Sequence, residues 1–203
     1  MTHPDLYILR HGETLWNVEG RFQGALDSPL TPRGESQAIS MGHALRSLGA
    51  AGFRWLSSPA PRAVRTATLA RGAPPDATDP RLIEIGMGDW SGLTREEIDA
   101  RWPGPEDEDM MTFYARIPNG ESLPAVGARA AALLAALDGP TILVTHGLTS
   151  RILRGLILGL PVEALSELPG GHGMIFHARD GAVTLAARTD GLPETGRTGI
   201  SAV

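Results

Sequence analysis

Two short apolar runs in this chain end in the same way, at a histidine followed by a glycine. They lie in the segments Leu6–Gly12 and Ile142–Gly147. Short apolar runs bounded by such polar residues are typical of buried strands. If the two strands are parallel neighbours, His11 and His146 meet at their carboxyl ends, which is the edge where open α/β sheets bind ligands. The repeated pattern therefore favours an α/β fold with a site at that edge.

The residues at these strand ends suit the chemistry of phosphate. Histidine can act as a nucleophile near neutral pH, and the planar guanidinium of Arg10 can grip phosphate oxygens. Gly12 is expected to let the chain turn sharply after the strand. Arg62 falls early in a helix predicted after another strand end, so it too should point toward this edge. The helix predicted after His146 would direct free N–H groups to the same place. Together these groups predict a pocket for a doubly charged anion.

Composition narrows the functional classes. A chain of 203 residues is most simply one domain, and its net charge of −5 argues against nucleic acid as a partner. It has no cysteine and no lysine, which excludes disulfides, cysteine phosphatase chemistry, a P-loop lysine and Schiff-base catalysis. The N-terminus lacks a signal-type pattern, and segments such as Ile152–Leu160 are too short and broken to span a bilayer. We therefore expect a cytoplasmic protein with no membrane partner.

Strand and helix patterns alternate along the chain. Strands are predicted at Leu6–Leu9, Phe53–Ser57 and Pro140–Thr145, a short strand or extended segment at Arg81–Ile85, and a terminal hairpin at Met174–His177 and Ala182–Leu185. Helices are predicted from the Thr31-Pro32 and Ser58-Pro59 signals, within 90–111, over Leu123–Leu137 and after His146. Thr14–Ser28 is predicted to be a long loop, and Ala73–Pro80 a link. This order predicts a three-layer α/β/α sandwich with a mostly parallel mixed sheet. We expect one domain over 1–190, a lid-like excursion over about 86–121, and a mobile tail over 191–203.

Five blocks, in order, resemble the histidine phosphatase superfamily, also called phosphoglycerate-mutase-like proteins. The first is Leu9–Thr14 with Asn17, and the last is Val144–Gly147 with Arg151. Between them lie three further sets of matching residues: Arg21, Gln23, Gly24, Asp27, Pro29–Thr31, Gly34 and Gln37-Ala38; Ser57–Pro59, Arg62 and Thr66-Ala67; and Glu84, Gly88, Trp90 and Gly92–Thr94. Each block alone is modest evidence, whereas five in the right order are highly specific.

The resemblance implies a role for each matching residue. The histidine matching His11 is the nucleophile and becomes a phosphohistidine, and the glutamate matching Glu84 protonates the leaving oxygen and then helps activate water. The phosphate group is held by the residues that match Arg10, Asn17, Arg62, His146 and Gly147. Gln23 and Gly24 match the loop on the substrate side. The resemblance implies no metal and no cofactor, since arginines supply the positive charge.

Three functions are compatible with the sequence. The first is a phosphomonoesterase acting on a small phosphorylated metabolite. The second is a cofactor-dependent phosphoglycerate mutase, and the third is a weakly catalytic phospho-ligand-binding protein. The mutase is disfavoured because the family's mutases carry a longer, basic insertion, whereas Met110–Glu121 offers only Arg116 and follows an acidic stretch. The physiological substrate and the oligomeric state cannot be inferred from the sequence.

Other residues with chemical potential are expected to be structural. His3, His43, His172 and His177 lie outside the matching blocks. The acidic run Glu106–Asp109 is expected to be a solvated loop or a helix start rather than a magnesium site.

Overall fold

A computed structural model describes residues 3–189. Its six strands form one mixed sheet: β1 (Leu6–Arg10), β2 (Arg54–Ser57), β3 (Ala77–Thr78), β4 (Thr141–Thr145), β5 (Met174–Arg179) and β6 (Ala182–Arg188). The strand order is β3-β2-β4-β1-β5-β6, with parallel pairs as far as β1 and antiparallel pairs at β1-β5 and β5-β6. The predicted mixed sheet and terminal hairpin are confirmed. The parallel pairing of β1 with β4 aligns Arg10 with Thr145.

Within residues 3–189, seven α-helices surround the sheet or extend from its edge. They are α1 (Leu15–Val18), α2 (Pro32–Ser47), α3 (Pro61–Arg71), α4 (Arg95–Arg101), α5 (Met110–Ala115), α6 (Leu123–Ala136) and α7 (Gly147–Leu158). Short 3-10 helices occupy Pro80–Leu82, Gly88–Trp90 and Val162–Glu167.

The two faces of the sheet bury separate apolar cores, because side chains along a strand alternate between faces. Tyr7 and Leu9 of β1 pack on the face covered by α2 and α3, together with residues such as Ile142. Leu6 and Ile8 face the other core, which is covered by α6 and α7. Helices on both faces give the three layers expected from the sequence.

Local signals explain several of the helix ends. The Thr31 hydroxyl accepts a hydrogen bond from the Gly34 N–H at 3.0 Å, and Pro32 occupies the first turn of α2. Gly72, with φ of +82°, ends α3 in a left-handed conformation. α7 differs, since its N-cap residue His146 makes no side-chain cap and leaves the imidazole free for other contacts.

Four local predictions are wrong. The segment predicted as a long loop contains α1, which begins with a capping box between Thr14 and Asn17. The helix predicted from Ser58-Pro59 begins at Pro61 instead. The link Ala73–Pro80 includes the short edge strand β3. The segment Arg81–Ile85, expected to be a short strand or extended, begins instead in a 3-10 turn, because the Asp79 side chain accepts a hydrogen bond from the Arg81 N–H and caps that turn; only from Ile83 is the backbone extended.

The excursion at 86–121 holds α4 and α5 and is anchored in the core. Trp90, Ile98 and Phe113 are fully buried in the same cluster as residues of α6 and α7. The predicted tail at 191–203 lies outside the described residues, as do residues 1, 2 and 190, so the domain limits stay a prediction. Within residues 3–189, the structure holds no helix with the length and apolarity needed to cross a membrane.

Candidate active site

His11 lies directly after β1, and its backbone and ring are both fixed. The His11 N–H donates to Thr145 O at 2.9 Å, which continues the pairing of β1 with β4. The ring Nδ1 lies 2.8 Å from Gly12 O. A carbonyl oxygen can only accept, so Nδ1 carries the proton and Nε2 of the neutral ring keeps a free lone pair. The fold therefore presents Nε2 as a nucleophile.

Glycine is required at position 12 because of close packing, and not because of the sharp turn that the sequence predicts there. Its φ is not positive, so no left-handed turn demands glycine there. A Cβ on Gly12 would instead lie 2.3 Å from Gly34 O, and a Cβ on Gly34 would lie 2.0 Å from Glu13 O. The Gly12 N–H also donates to Thr66 Oγ1 at 3.0 Å. These contacts hold the chain after His11 tightly against α2 and α3.

Arg10 is a buried cation whose Nε and Nη2 have no hydrogen-bond partner among the described residues. Burial is the main cause that lowers its pKa to about 10, and the charge of Glu84 opposes this effect. The guanidinium thus stays charged at neutral pH. Burial, followed by the charges of Arg62 and Arg10, holds the pKa of His11 well below its ordinary 6.5. The ring is therefore neutral and nucleophilic at physiological pH.

Arg62, in the first turn of α3, is held by the loop after Gln23. Its Nη1 donates to Leu26 O at 2.7 Å and to the Asp27 carboxylate at 2.9 Å, and its Nη2 donates to Gly24 O at 2.9 Å. Gly24 adopts φ of +54°, and a Cβ there would lie 2.9 Å from the Met87 backbone. Only Nε of Arg62 remains buried without a partner in the described chain.

His146 stands beside His11, with ring centroids 5.1 Å apart. Its Nε2 lies 2.8 Å from the Ser58 hydroxyl, whose oxygen also accepts from the Ala60 N–H. When that hydroxyl donates to Nε2, the neutral ring carries its proton on Nδ1, which is buried and unpartnered in residues 3–189. Burial chiefly, and then Arg62, holds the pKa of His146 well below 6.5. His146 thus offers a donor next to the nucleophile.

Glu84 lies at the N-terminus of α7 and caps it. Its carboxyl oxygens accept from the N–H groups of Leu148 and Thr149, each at 3.1 Å, and from Ile85 N–H at 3.1 Å. Glu84 thus occupies two of the amides at the start of α7 that were expected to face the phosphate. The carboxyl group is held in one orientation, while its charge acts on Arg10.

Asn17 and Gln23 meet at Thr14. Asn17 Oδ1 accepts from Thr14 N at 3.1 Å and from Thr14 Oγ1 at 2.8 Å, while Gln23 Nε2 donates to Thr14 Oγ1 at 2.8 Å. Because an N–H can only donate, the atom of Asn17 that faces Thr14 is the oxygen. The amide NH₂ of Asn17 is therefore free of this contact.

His172, which was expected to be a structural histidine outside the site, lies beside His11. Its ring centroid lies 5.7 Å from that of His11, and its Nε2 lies 3.2 Å from Asn17 Oδ1. It precedes β5, which pairs antiparallel with β1, so the start of β5 adjoins the end of β1. Tyr114 of α5 was also missed, and it is buried within electrostatic reach of Glu84 and Arg10. A predicted hairpin alone does not reveal that it pairs with β1.

Arg95 and Arg116 of the excursion are paired with carboxylates of the same segment. Glu108 was expected to be solvated, but its side chain is 1 % exposed and accepts from both Arg95 and Arg116. Arg116 also donates to Trp102 O at 2.7 Å and lies over the Trp90 ring, 4.7 Å from its centroid. Arg116, the one arginine between Met110 and Glu121, thus binds Glu108.

A cleft of about 470 Å³ lies at the opposite end of the sheet, between α2, α3 and the start of β2. Arg71 there is paired with Asp76 at 2.6 Å. The cleft faces the C-terminal turns of α2 and α3, whose dipoles disfavour anions. Within residues 3–189, no group of three or more His, Cys, Asp or Glu side chains is arranged to hold a metal. Donors of Arg10, Arg62 and His146 that are unpartnered in this part of the chain lie instead around His11, at the β1–β4 edge.

Comparison with known proteins gives one consistent family. Residues 6–182 match the model of the histidine phosphatase superfamily (branch 1). The chain is 41 % identical over 174 residues to a Salmonella arizonae protein called "Probable phosphoglycerate mutase GpmB", covering 80 % of this chain and 79 % of the relative.

Solved structures with the same fold include a mycobacterial glucosyl-3-phosphoglycerate phosphatase in complex with VO3. It is 35 % identical, with a TM-score of 0.72, and the match covers 86 % of this chain and 92 % of that one. Bacillus stearothermophilus YhfR is 30 % identical with a TM-score of 0.71, over 92 % and 97 % of the two chains.

Proposed function

This chain belongs to the histidine phosphatase superfamily, and on that premise we propose that it is a phosphomonoesterase that works through a phosphohistidine on His11. The observation that carries this proposal is the ring of His11, whose Nδ1 is bonded to Gly12 O so that Nε2 is free. Around it lie unpartnered donors of Arg10, Arg62 and His146. Donors that surround a nucleophile suit a phosphoryl group, because its transition state spreads negative charge over the equatorial oxygens.

In the first step, Nε2 of His11 attacks phosphorus and forms a P–N bond while the ester P–O bond breaks. Arg10, Arg62 and His146 hold the phosphoryl oxygens, together with Asn17 and the start of α7 at Gly147. Glu84 first takes up a proton, from solvent or from the monoanionic ester, and its carboxyl group then gives that proton to the departing alkoxide. Gln23 and Gly24 line the substrate side of the pocket.

In the second step, water attacks the phosphohistidine. The Glu84 carboxylate accepts a proton from this water as its oxygen bonds to phosphorus. The P–N bond breaks, inorganic phosphate leaves, and Nε2 of His11 recovers its lone pair. Arg10 and Arg62 supply the positive charge and neutral His146 supplies a hydrogen-bond donor, so the proposed cycle needs no metal and no cofactor. Its substrate is a small phosphate ester.

A phosphoglycerate mutase is the second candidate, favoured by the name of the Salmonella relative. A mutase must retain a bisphosphorylated intermediate, which requires free cations beyond the first phosphate site. In the excursion, Arg95 and Arg116 are both engaged with Glu108 and Asp99. Their pairing supports transfer of the phosphoryl group to water.

The test is a phosphate-release assay on alkyl and aryl monoesters, run beside an assay for interconversion of 3- and 2-phosphoglycerate with added 2,3-bisphosphoglycerate. We expect phosphate release, inhibition by orthovanadate and negligible mutase turnover. His11→Ala should lower turnover by about 10³-fold or more. His43→Ala, at an exposed site on α2, is the matched control. Mutase turnover tenfold above phosphate release would replace this proposal with the second candidate.

A further inference from the structure

Asn17 is held from two sides. On one side, Thr14 donates to its Oδ1 through both the backbone N–H and the hydroxyl, at 3.1 and 2.8 Å. On the other side, His172 Nε2 lies 3.2 Å from the same oxygen. Because Thr14 N–H fixes this atom as an acceptor, the His172 ring must donate, and its proton lies on Nε2.

The loop that carries His172 is itself anchored. Arg151 of α7 donates through Nε to Leu168 O at 3.2 Å. Gly170 packs directly against that guanidinium, since a Cβ there would lie 2.4 Å from Nη2 of Arg151. At the other end of the loop, Thr189 N–H donates to Gly173 O at 2.9 Å. His172 thus lies on a loop that is fixed at both ends, and its ring contacts the side-chain amide of Asn17. This placement indicates a role beyond packing.

We propose that His172 is a positioning residue that holds the Asn17 side chain so that its amide NH₂ faces the phosphoryl group on the way to His11. The inference rests on the proposed phosphatase activity and extends it to a residue outside the matching blocks. Thr14 fixes which end of the Asn17 amide is the oxygen. His172 restricts where that amide lies, and the His172 ring itself lies 5.7 Å from the ring of His11, measured between centroids. Burial, with the charges of Arg10 and His11, holds the pKa of His172 well below 6.5, so the ring donates without adding a charge.

Two substitutions separate hydrogen bonding from packing. His172→Gln removes the ring but keeps an N–H donor at similar reach, whereas His172→Phe keeps the ring and removes the donor. For each we would measure kcat/KM and the inhibition constant of inorganic phosphate. We expect His172→Phe to weaken both by about fivefold to tenfold, the worth of one hydrogen bond, and His172→Gln to stay within about twofold of wild type. A packing role predicts the opposite order.

The decisive experiment is a double-mutant cycle with Asn17→Ala. If His172 acts through Asn17, His172→Phe should cost less than about twofold more in the Asn17→Ala background. Multiplicative losses would overturn the proposal and make His172 an independent substrate contact. Normal kcat/KM in His172→Phe would also overturn it. A wild-type protein that hydrolyses no phosphate ester would instead refute the proposed function, and inhibition by phosphate would then be meaningless.

Discussion

The excursion and the β1–β4 edge differ in how their arginines are paired. In the excursion, Arg95 and Arg116 bind the carboxylates of Asp99 and Glu108, and their guanidinium groups lie over aromatic rings. At the β1–β4 edge, Arg10 is buried with no carboxylate partner and no side-chain hydrogen bond within the described residues. A buried unpaired cation costs stability. These two arginines of the excursion are thus held by ion pairs, whereas Arg10 at the sheet edge has no such pair in the described residues.

Two glutamate substitutions, one in each region, should show the largest difference in effect between the sheet edge and the excursion. Glu84→Gln removes the proposed proton donor, so hydrolysis of alkyl phosphates should slow by about 10²–10⁴-fold. An activated aryl phosphate, whose leaving group needs little protonation, should lose less in single-turnover phosphorylation. Glu108→Gln is the matched variant in the excursion, and we expect it to lower the melting temperature while activity persists. Equal losses on both esters would mean that Glu84 only shapes the pocket.

Two arginine variants compare the free cation with the paired one, and the first of them changes Arg10. Arg10→Met should lower kcat/KM by about 10²–10³-fold, the range for one electrostatic contact to the transition state. The same change removes a buried guanidinium that no carboxylate of residues 3–189 binds directly, so the melting temperature should stay equal or rise. Calorimetry and steady-state kinetics on one preparation measure both effects. A large loss of stability would show that Arg10 has a structural partner.

The neutral histidines at the edge predict a pH dependence of stability. His11, His146 and His172 all have a pKa lowered well below 6.5, chiefly by burial. At pH values below about 6.5, the ordinary pKa of histidine, the unfolded chain binds more protons than the folded one. Stability that is present at neutral pH is therefore lost on acidification. Each ring contributes up to about 1.4 kcal/mol per pH unit. Urea unfolding of phosphate-free protein from about pH 7 to about pH 5 measures the loss, and His172→Gln should reduce the slope.

The smallest effect on activity belongs to the excursion. Arg116→Met breaks the contacts to Glu108 and Trp102 O and leaves Glu108 with Arg95 as its remaining cation. We expect a loss of stability of about 1–3 kcal/mol and a change in kcat/KM below about threefold. Thermal unfolding and ester hydrolysis give the two numbers. A drop in kcat/KM comparable to that of Arg10→Met would show that the paired arginine contacts substrate.

The sequence predicts the features that depend on local patterns, and it misses those that depend on contacts between segments far apart in the chain. His11 and His146 were placed together because apolar runs mark buried strands, and parallel strand ends share an edge. The start of α3 was misplaced because Ser58 looks like a cap, while its hydroxyl contacts His146 and Ala60 N–H. His172 was missed because its position depends on β5 pairing with β1, more than 160 residues away along the chain, which local patterns do not encode.

The central claim is that the free Nε2 of His11 receives the phosphoryl group. Rapid quench with phosphorus-labelled ester, followed by peptide mapping, tests it most directly. The account predicts a burst of acid-labile, base-stable label on His11 that approaches one per chain, is absent in His11→Ala, and decays more slowly in Glu84→Gln. Hydrolysis that proceeds without a labelled chain, or with the label on another residue, would contradict it.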